Sequence, residues 1–427
     1  MAEYLVLKCE EGKDNKVSIK STTKRKKIRV ASLDVFRGLA VFLMIFVDYG
    51  GSLAPSIGHS PWNGVHLADF VMPFFLFIVG VSVALVYKRV SNRRVATCKA
   101  LVKTVQLFLL GVFLQGGYFH GITSLTFGVD LESIRLFGIL QRITIGYIVA
   151  ALCEIWFPYN SGTEKQVAVF KSYLLHWCVA VGLCIIYSAL LYGLYVPDWQ
   201  FSVPQSTSSP SSSNNSYISY TVNCSTRGDL GPACNSAGMI DRYVLGINHL
   251  YKKPVYRNLK ECSDPAIGQG SDSVPPWCHA PFDPEGILSS ITAAVTCIIG
   301  LQYGHILVLL EDHKDRLLHW VLLSFSFFGL GVFLSYVDIP LNKSLYTISY
   351  MLLTSSTAGI TFCAFYILVD IYGYRRLTSL LEWMGVHSLS IFVLISSNLA
   401  VIAIQGFYSV SPKNNLIHWI VTCFVQK

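Results

Sequence analysis

Charged residues are scarce in this chain of 427 amino acids. Only 14% of its residues are Asp, Glu, Lys or Arg, whereas a soluble domain carries about 25%. This deficit excludes an ordinary cytosolic enzyme, a disordered chain and a nucleic-acid-binding module. The hydrophobic fraction is high at 52%, and the apolar residues form runs long enough to cross a bilayer. The sequence therefore predicts a multi-pass membrane protein whose main partner is the lipid bilayer.

Ten apolar segments define the predicted topology. Each of the first nine has about 20 residues, which spans a hydrocarbon core of about 30 Å. The last is too short to cross, so we expect an incomplete final helix and a shortened C-terminus. The fold class is all-α, with about ten transmembrane helices: five in 33–195, a long loop at 196–285, and five in 286–427. The segments are 33–50, 66–87, 100–119, 136–157, 173–195, 286–310, 317–337, 347–371, 379–405 and 415–427.

The distribution of Lys and Arg predicts the orientation in the membrane. The tail 1–32 is basic and has no apolar core before its basic run, so we expect it to be cytosolic and without a cleavable signal peptide. Residues 38–87 contain no Lys or Arg, whereas 88–103 is a basic connection without an acid. The positive-inside rule places 88–103 in the cytoplasm and the loops 51–65 and 196–285 on the far side. The expected location is a lysosomal, vacuolar or other endomembrane, or the plasma membrane.

The long loop 196–285 has the features of a luminal or extracellular segment. Its four cysteines predict two disulfides with three alternative pairings, and a zinc site is the weaker alternative because no Cys-x-x-Cys pair occurs. The Ser/Pro/Asn-rich stretch 204–215 predicts a flexible spur. Glycosylation sequons begin at Asn214, Asn223 and Asn342, all on the predicted far side. The four cysteines are Cys224, Cys234, Cys262 and Cys278.

A polar stretch between the first two spans contains the main candidate for catalysis. It begins at Asp48 and includes His59, and imidazole can act as a nucleophile or general base near neutral pH. Glycines and Pro61 allow this loop to fold back over a pocket, and Trp62 suits a membrane interface. An exposed loop histidine without a chemical role is the alternative that the residues alone leave open.

Ionisable residues inside the predicted spans form a second candidate group. Arg37 lies at the inner end of the first span, and Asp69 lies in the second, one turn after His66. Pro73 follows Asp69 by four residues, so the Asp69 carbonyl lacks its helical N–H donor. Charged groups at such depth line a cavity or pair with one another. A ligand site and a structural ion pair such as Asp69–Arg142 therefore both remain open.

The C-terminal half of the long loop is a third candidate region. Acids, an arginine, a histidine and several aromatics share one side of the membrane with His59 there. Aromatic faces suit a sugar ring, and carboxylates suit hydroxyls or an amine. For acids just before the sixth span, stabilisation of a helix N-terminus is the alternative explanation. The candidates are Asp241, Arg242, His249, Asp283 and Glu285.

At these residues the chain resembles the heparan-alpha-glucosaminide N-acetyltransferase family, including its plant-type members. The motifs occur in family order and cover roughly residues 30–420. In that family the histidine of the His-x-x-Trp-Asn-Gly stretch is the catalytic residue, a position that His59 holds here. The matching stretches are Ser32–Gly38, His59–Gly64, Ala68–Pro73, Gly138–Arg142, Ile240–Arg242, Asn248–Tyr251 and Asp283–Gly286.

The resemblance implies a transmembrane acetyltransferase without a metal. Acetyl-CoA would be the cytosolic co-substrate, and the acceptor would be the amine of a luminal glucosamine, a related amino sugar or a polysaccharide. His59 would either carry the acetyl group covalently or remove a proton from the attacking amine. Many relatives have Asn where this chain has Asp48, and that Asp could raise the basicity of His59 by pairing with it.

Further residues receive expected roles, and a homodimer is left open. Catalytic candidates are His59, Asp48 and Asp69. Substrate-binding candidates are Trp62, Asn63, Asp241, Arg242, His249, Asp283 and Glu285. Candidates for binding the coenzyme are Arg37, Gln141 and Arg142.

Three other functions compete with this interpretation. A proton-coupled transporter would use intramembrane Asp, His and Arg, but it would need a site at the midplane of the membrane. A polysaccharide O-acetyltransferase would use the same geometry with a hydroxyl acceptor. A structural protein without catalysis is the third alternative.

Overall fold

The computed structural model describes residues 30–51, 54, 56–87, 92–116, 135–157, 173–204, 217–263 and 274–396. Three expectations lie outside the described residues: the basic tail up to residue 29, the spur with its sequon at Asn214, and the final span 415–427.

Helices make up most of the described chain. A 3₁₀ turn, Leu67–Phe70, leads into α2, and a π-helical turn, Tyr366–Ile371, ends α10. The helices are α1 Ala31–Gly50, α2 Val71–Tyr87, α3 Arg93–Gly116, α4 Ile139–Trp156, α5 Leu174–Gly193, α6 Ser236–Leu245, α7 Lys260–Ser263, α8 Ile287–Leu309, α9 His313–Tyr336, α10 Ile348–Phe365, α11 Ser379–Val386 and α12 Ser388–Ser396.

Seven of the described helices are long and apolar enough to cross a membrane: α2 with its leading turn, α3, α4, α5, α8, α9 and α10. The all-α polytopic fold class is therefore confirmed. Helix α1 has spanning length, with 20 residues, but it carries Asp34, Arg37 and Asp48. The ninth predicted span differs from expectation, because its described part breaks at His387 into α11 and α12.

The described part of the basic connection is helical from Arg93 onwards, whereas the apolar run predicts that the third span begins at residue 100. Helix α3 begins at Arg93. The side chain of Asn92 explains this start, since its Oδ1 accepts from the N–H of Arg94 at 3.1 Å. An Asn in this position satisfies backbone donors that the first helical turn leaves without partners.

Helix α8 lies at the centre of the bundle and is buried along most of its length. It packs against α2 through glycines on both helices. A Cβ on Gly80 would lie 2.0 Å from the Cys297 carbonyl oxygen, and one on Gly300 would lie 2.2 Å from the Phe77 carbonyl oxygen. Small residues allow two backbones to approach this closely, which is a common way to pack helices in lipid.

The segment between α5 and α8 folds against the end of the bundle that carries His59, called here the His59 end. It contains two antiparallel two-stranded sheets and an apolar cluster with Trp62, Tyr256 and Phe282. Cys224 pairs with Cys234, and Cys262 pairs with Cys278. The two predicted disulfides are confirmed, and one of the three alternative pairings is selected. The strands are β1 Tyr195–Val196, β2 Trp199–Pro204, β3 Tyr217–Val222 and β4 Thr226–Arg227, paired β1–β4 and β2–β3.

The described sequons differ in accessibility. Asn223 is exposed. Asn342 is fully buried, and its amide nitrogen donates to Asn63 Oδ1 at 3.2 Å. Glycosylation at Asn342 is therefore a wrong prediction, because the nitrogen that would carry the glycan already serves the fold.

Candidate active site

The loop that carries His59 is held by the carboxylate of Asp69. Asp69 is fully buried at the start of the second span. Its Oδ2 accepts backbone N–H bonds from Ser60 at 3.1 Å and from His66 at 2.9 Å. A carboxylate that accepts two backbone donors fixes both chain segments, so the loop after α1 folds back onto α2.

His59 faces two charged side chains. Its Nδ1 lies 2.8 Å from Asp69 Oδ1 and 2.8 Å from Lys343 Nζ. The Lys343 ammonium is also 3.4 Å from His59 Nε2 and 3.5 Å from Asp69 Oδ1. Burial lowers the pKa of Lys343 from its ordinary value, although the carboxylates of Asp69 and Glu285 oppose that change. Three titratable groups thus meet within hydrogen-bonding range.

This arrangement leaves one imidazole nitrogen open for chemistry in one of the two tautomers. If Nδ1 carries the hydrogen and donates it to Asp69, Nε2 keeps its lone pair for attack on a carbonyl or for taking a proton. The geometry therefore supports either a nucleophile or a general base at His59.

The backbone carbonyl of Asp69 has its own hydrogen-bond donor from a different helix. The hydroxyl of Tyr350, on α10, donates to the carbonyl oxygen of Asp69. Pro73 leaves that carbonyl without a helical donor, as the sequence predicts. Tyr350 is fully buried, so its hydroxyl replaces a donor that water cannot supply there.

The His59 side chain is 36% exposed and lines a cavity. The cavity has a volume of about 630 Å³ and is lined mainly by apolar side chains of α1, α2, α4 and α12. Its polar lining includes Arg37, Asp48, His59, Glu285 and Lys343. Arg37 and Asp48 stand eleven positions apart on α1, which corresponds to roughly 17 Å along a helix axis. The cavity therefore extends from His59 towards the opposite end of the bundle.

A buried ion network supports the His59 end. Arg135 donates from Nε to Asp283 Oδ2 at 2.9 Å, and from one terminal nitrogen to Asp283 Oδ1 at 2.6 Å and Glu285 Oε2 at 2.5 Å. Its guanidinium also lies 4.6 Å from the centre of the Tyr251 ring. Burial alone would raise the pKa of Glu285, but the cations of Arg135, Arg142 and Lys343 lower it below its ordinary value. Glu285 is thus an ionised group on the cavity wall.

Asp241 has a structural contact rather than an open position. Its Oδ1 accepts from the N–H of Ile287 at 2.9 Å, which caps the first turn of α8. A Cβ on Gly286 would lie 1.8 Å from Asp241 Oδ2, so only glycine fits there. Burial raises the pKa of Asp241 to about 7, while the Ile287 N–H bond opposes that shift.

Arg242 and His249 do not line the cavity. The guanidinium of Arg242 stacks 3.8 Å from the centre of the Trp199 ring, and burial lowers its pKa to about 10. His249 is half-buried in a 3₁₀ turn. The structure therefore separates these two sugar-binding candidates from His59.

The expected coenzyme ligands separate as well. Gln141 and Arg142 are fully buried in α4 and are not among the residues that line the cavity. Arg142 donates to the Pro284 carbonyl at 2.6 Å and to the Ser289 hydroxyl. The proposed ion pair Asp69–Arg142 is wrong, since Asp69 pairs with His59 and Lys343 instead. Arg37 remains on the cavity wall.

The remaining candidates also have defined positions. Asp48 lines the cavity and interacts electrostatically with His59 and Lys343, but the carboxylate in contact with the imidazole belongs to Asp69. Trp62 is buried, and its indole N–H donates to the Leu230 carbonyl at 2.9 Å. With Asn63 it borders a second cavity of about 440 Å³, which also touches Asp229 and Glu261.

Sequence reasoning missed three residues of this site: Lys343, Arg135 and Tyr350. Lys343 lies inside a sequon and Arg135 just before a span, so both have ready alternative explanations. The Tyr350 hydroxyl is one of many polar groups in an apolar run. The Asp69 carbonyl without a donor was the one signal that called for such a partner, but it did not say where the partner lies in the chain.

Comparison with known proteins agrees with the geometry. Residues 29–186 match a family described as "Heparan-alpha-glucosaminide N-acetyltransferase, catalytic". The heparan-alpha-glucosaminide N-acetyltransferase of Mus musculus is 31% identical over 387 residues, which cover 84% of this chain and 53% of the relative. The Homo sapiens protein of the same name is 29% identical over the same length, with 84% and 52% coverage.

The chain is similar to the heparan-alpha-glucosaminide N-acetyltransferases over most of its length. The resemblance inferred from the motifs is thereby confirmed. The chain spans about half the length of the curated relatives that it matches. The matched catalytic region includes His59, Asp69 and Arg37, whereas Lys343 and Glu285 lie beyond it.

Proposed function

We propose that this chain is a membrane acetyltransferase that moves an acetyl group from acetyl-CoA to the amine of a terminal glucosamine or related amino sugar. The observation that carries the proposal is the cavity, which has a volume of about 630 Å³. Arg37 lines its wall towards one end, and His59 and Lys343 line it towards the other. A long, narrow molecule with an anionic head and a reactive thioester suits such a space. The relatives' names support the reaction class.

The end of the cavity near Arg37 is assigned to coenzyme binding. The Arg37 guanidinium bonds Asp34 and Ser82 at 3.1 and 3.2 Å and lines the cavity. Lys103 of α3 lies close enough to interact electrostatically with Arg37. Two neighbouring cations suit phosphate groups, so these residues replace Gln141 and Arg142 in the proposal. When bound, acetyl-CoA supplies an activated acetyl thioester.

His59 performs the transfer at the opposite end of the cavity. In the covalent route, His59 Nε2 forms a bond to the acetyl carbon, the carbon–sulfur bond breaks, and the sulfur leaves as a thiol with the proton that the acetylated imidazole loses from Nδ1. The sugar amine then takes the acetyl group from Nε2 and releases a proton, which restores the free imidazole. In the direct route, His59 removes the amine proton while the amine attacks the thioester, the carbon–sulfur bond breaks, and the imidazolium returns that proton to the leaving sulfur. The Lys343 ammonium, 3.4 Å from Nε2, is placed to donate to the developing oxyanion in either case.

The acceptor approaches from the His59 end. Glu285 and Asp48 place carboxylates on the cavity wall beside His59, and either can bind the ammonium form of an amino sugar before it loses its proton. With the orientation expected from the basic residues, this end faces the lumen or the exterior and the Arg37 end faces the cytoplasm. We further propose an endomembrane or cell-surface location on the same grounds.

The test is an acetyl-transfer assay with labelled acetyl-CoA on the purified full chain. The acceptor panel contains glucosamine, other amino sugars, heparan fragments with a terminal glucosamine, and polysaccharides that offer only hydroxyls. We expect acetylated amino sugar with the wild type and none with His59→Gln. The matched control is His279→Gln, since His279 is exposed on the extramembrane segment. Transfer only to hydroxyls would replace the amine acceptor, and full activity in His59→Gln would refute the proposal.

A further inference from the structure

A second cluster of polar side chains lies near the ends of three spanning helices, away from the cavity. Glu154 of α4, His176 of α5 and His305 of α8 converge there, and one potential ligand atom from each lies within 4.8 Å of the others. Glu154 is twelve residues after Arg142 on α4, roughly 18 Å along the helix axis. The cluster therefore lies towards the end of the bundle opposite the His59 end.

The bonds within the cluster are incomplete. Glu154 Oε2 lies 2.6 Å from His305 Nε2 and 3.7 Å from His176 Nε2. Both histidines are 2% exposed. Among the described residues, neither ring nitrogen of His176 has a hydrogen-bond partner, and His305 Nδ1 has none either. The backbone of Cys153 approaches His176 without meeting hydrogen-bond geometry. Buried polar groups without partners are costly and rare.

The rings are nevertheless held in place by their neighbours. Tyr173 stacks on His305 with ring centres 3.6 Å apart and planes 9° from parallel. The two imidazoles meet edge to face, with centres 5.4 Å apart. Imidazole rings that are held in place and have nitrogens without partners are suited to bind a metal ion.

We propose that Glu154, His176 and His305 bind a divalent transition-metal ion, with zinc as the ion that the donor set fits best. Two imidazoles and one carboxylate, with a fourth position for water, are an established zinc donor set. In a tetrahedral site with bonds of about 2.0–2.1 Å, neighbouring ligand atoms stand about 3.3 Å apart. The observed 2.6 and 3.7 Å lie on either side of that value, and all three ligand atoms lie within 4.8 Å of one another, so side-chain movements of about 1–2 Å complete the site.

The ion would connect three helices at one point. The Glu154 carboxylate neutralises one of the two positive charges of the ion, and the imidazoles bind as neutral ligands. The occupied site therefore has a smaller net charge than a bare ion in lipid. Helices α4, α5 and α8 would be joined at the end of the bundle where the described structure contains no disulfide between them. The site is thus assigned a structural role that is independent of His59 chemistry.

The metal content of the full chain tests this assignment. The protein is produced with a tag that contains no histidine, purified in detergent, stripped with a chelator, given one equivalent of Zn²⁺ and separated from free metal. We expect about one zinc per wild-type chain by elemental mass spectrometry, and at least about tenfold less in His176→Gln, His305→Gln and Glu154→Gln. His319→Gln is the matched control, since His319 is an intramembrane histidine whose Nδ1 bonds the Asp315 carbonyl; it should keep the metal.

Glu154→Gln separates the metal site from a merely hydrogen-bonded cluster, because an amide still bonds His305 but ligates zinc poorly. Size-exclusion profiles show which variants are folded. Should the histidine variants misfold, Co²⁺ binding to the wild type provides the second measurement, through the visible absorption of a low-coordinate Co²⁺ site that zinc then abolishes. A wild type with less than about one tenth of an equivalent of zinc, or variants that retain as much as the wild type, would overturn the assignment.

Discussion

The buried ion network at the His59 end gives the sharpest stability prediction. Replacing Arg135 by Met removes the only cation that directly bonds both Asp283 and Glu285 within the described structure. Asp283 is 1% exposed and Glu285 is 8% exposed, so both carboxylates would remain buried without that partner. Breaking a buried pair by removing one member costs about 3–5 kcal/mol. At about 2 °C per kcal/mol for a large chain, we expect the midpoint of thermal unfolding to fall by about 6–10 °C.

The assay is thermal unfolding in detergent followed by size-exclusion fluorescence, with a charge-free variant as the comparison. Arg135→Met combined with Asp283→Asn and Glu285→Gln removes all three charges and keeps similar shapes. Since neutral replacements of a buried ion group are often tolerated, the triple variant should recover most of the loss. The reasoning is refuted if Arg135→Met unfolds at the wild-type temperature, or if the triple variant is no more stable than the single one.

Three further outcomes are expected. Tyr350→Phe leaves the Asp69 carbonyl without its donor and should destabilise the chain by about 1–3 kcal/mol; an unchanged unfolding midpoint would contradict this. The pKa of Asp241 is raised in the folded state to about 7, so its protonated form stabilises the fold at low pH and this contribution is lost as pH rises from about 4 to 7. Asp241→Asn should therefore gain thermal stability relative to the wild type between pH 5 and pH 8, with the Ile287 N–H bond retained, and a constant difference would argue against it. Lys343→Met should lower kcat by about 10²–10³ with little change in KM, since its donor acts on the transition state; an effect on KM alone would assign Lys343 to binding.

The transmembrane helices could be predicted from the sequence because lipid imposes a strong rule. A helix that crosses the bilayer needs about 20 apolar residues, and such runs are visible without any knowledge of packing. The boundaries were less predictable where local polar contacts decide them. The Asn92 cap starts α3 before the apolar run, and His387 separates α11 from α12.

The centre of the candidate site could also be predicted, but its partners could not. The motif identified His59, and the four-residue spacing of Asp69 and Pro73 identified a carbonyl without a donor. Lys343 is 284 residues from His59 and Tyr350 is 281 residues from Asp69. Sequence periodicity carries no information on contacts over such separations.

Roles assigned from residue type alone agree least with where the structure places the side chains. Arg142 was expected to bind phosphate because an intramembrane arginine needs an anion or a polar partner. Its described partners are the Pro284 carbonyl and the Ser289 hydroxyl, both bonded through one terminal nitrogen. Asp241 similarly caps α8 instead of facing a sugar.

The most direct test of the central claim is acetyl transfer across a sealed membrane. Proteoliposomes that contain the full chain enclose glucosamine, and labelled acetyl-CoA is added outside only. Vesicles with the Arg37 end facing outwards should accumulate labelled N-acetylglucosamine inside, while His59→Gln vesicles accumulate none. If acetylated sugar forms only when both substrates are on the same side, or if His59→Gln vesicles match the wild type, the cavity is not the route that joins the coenzyme to the acceptor.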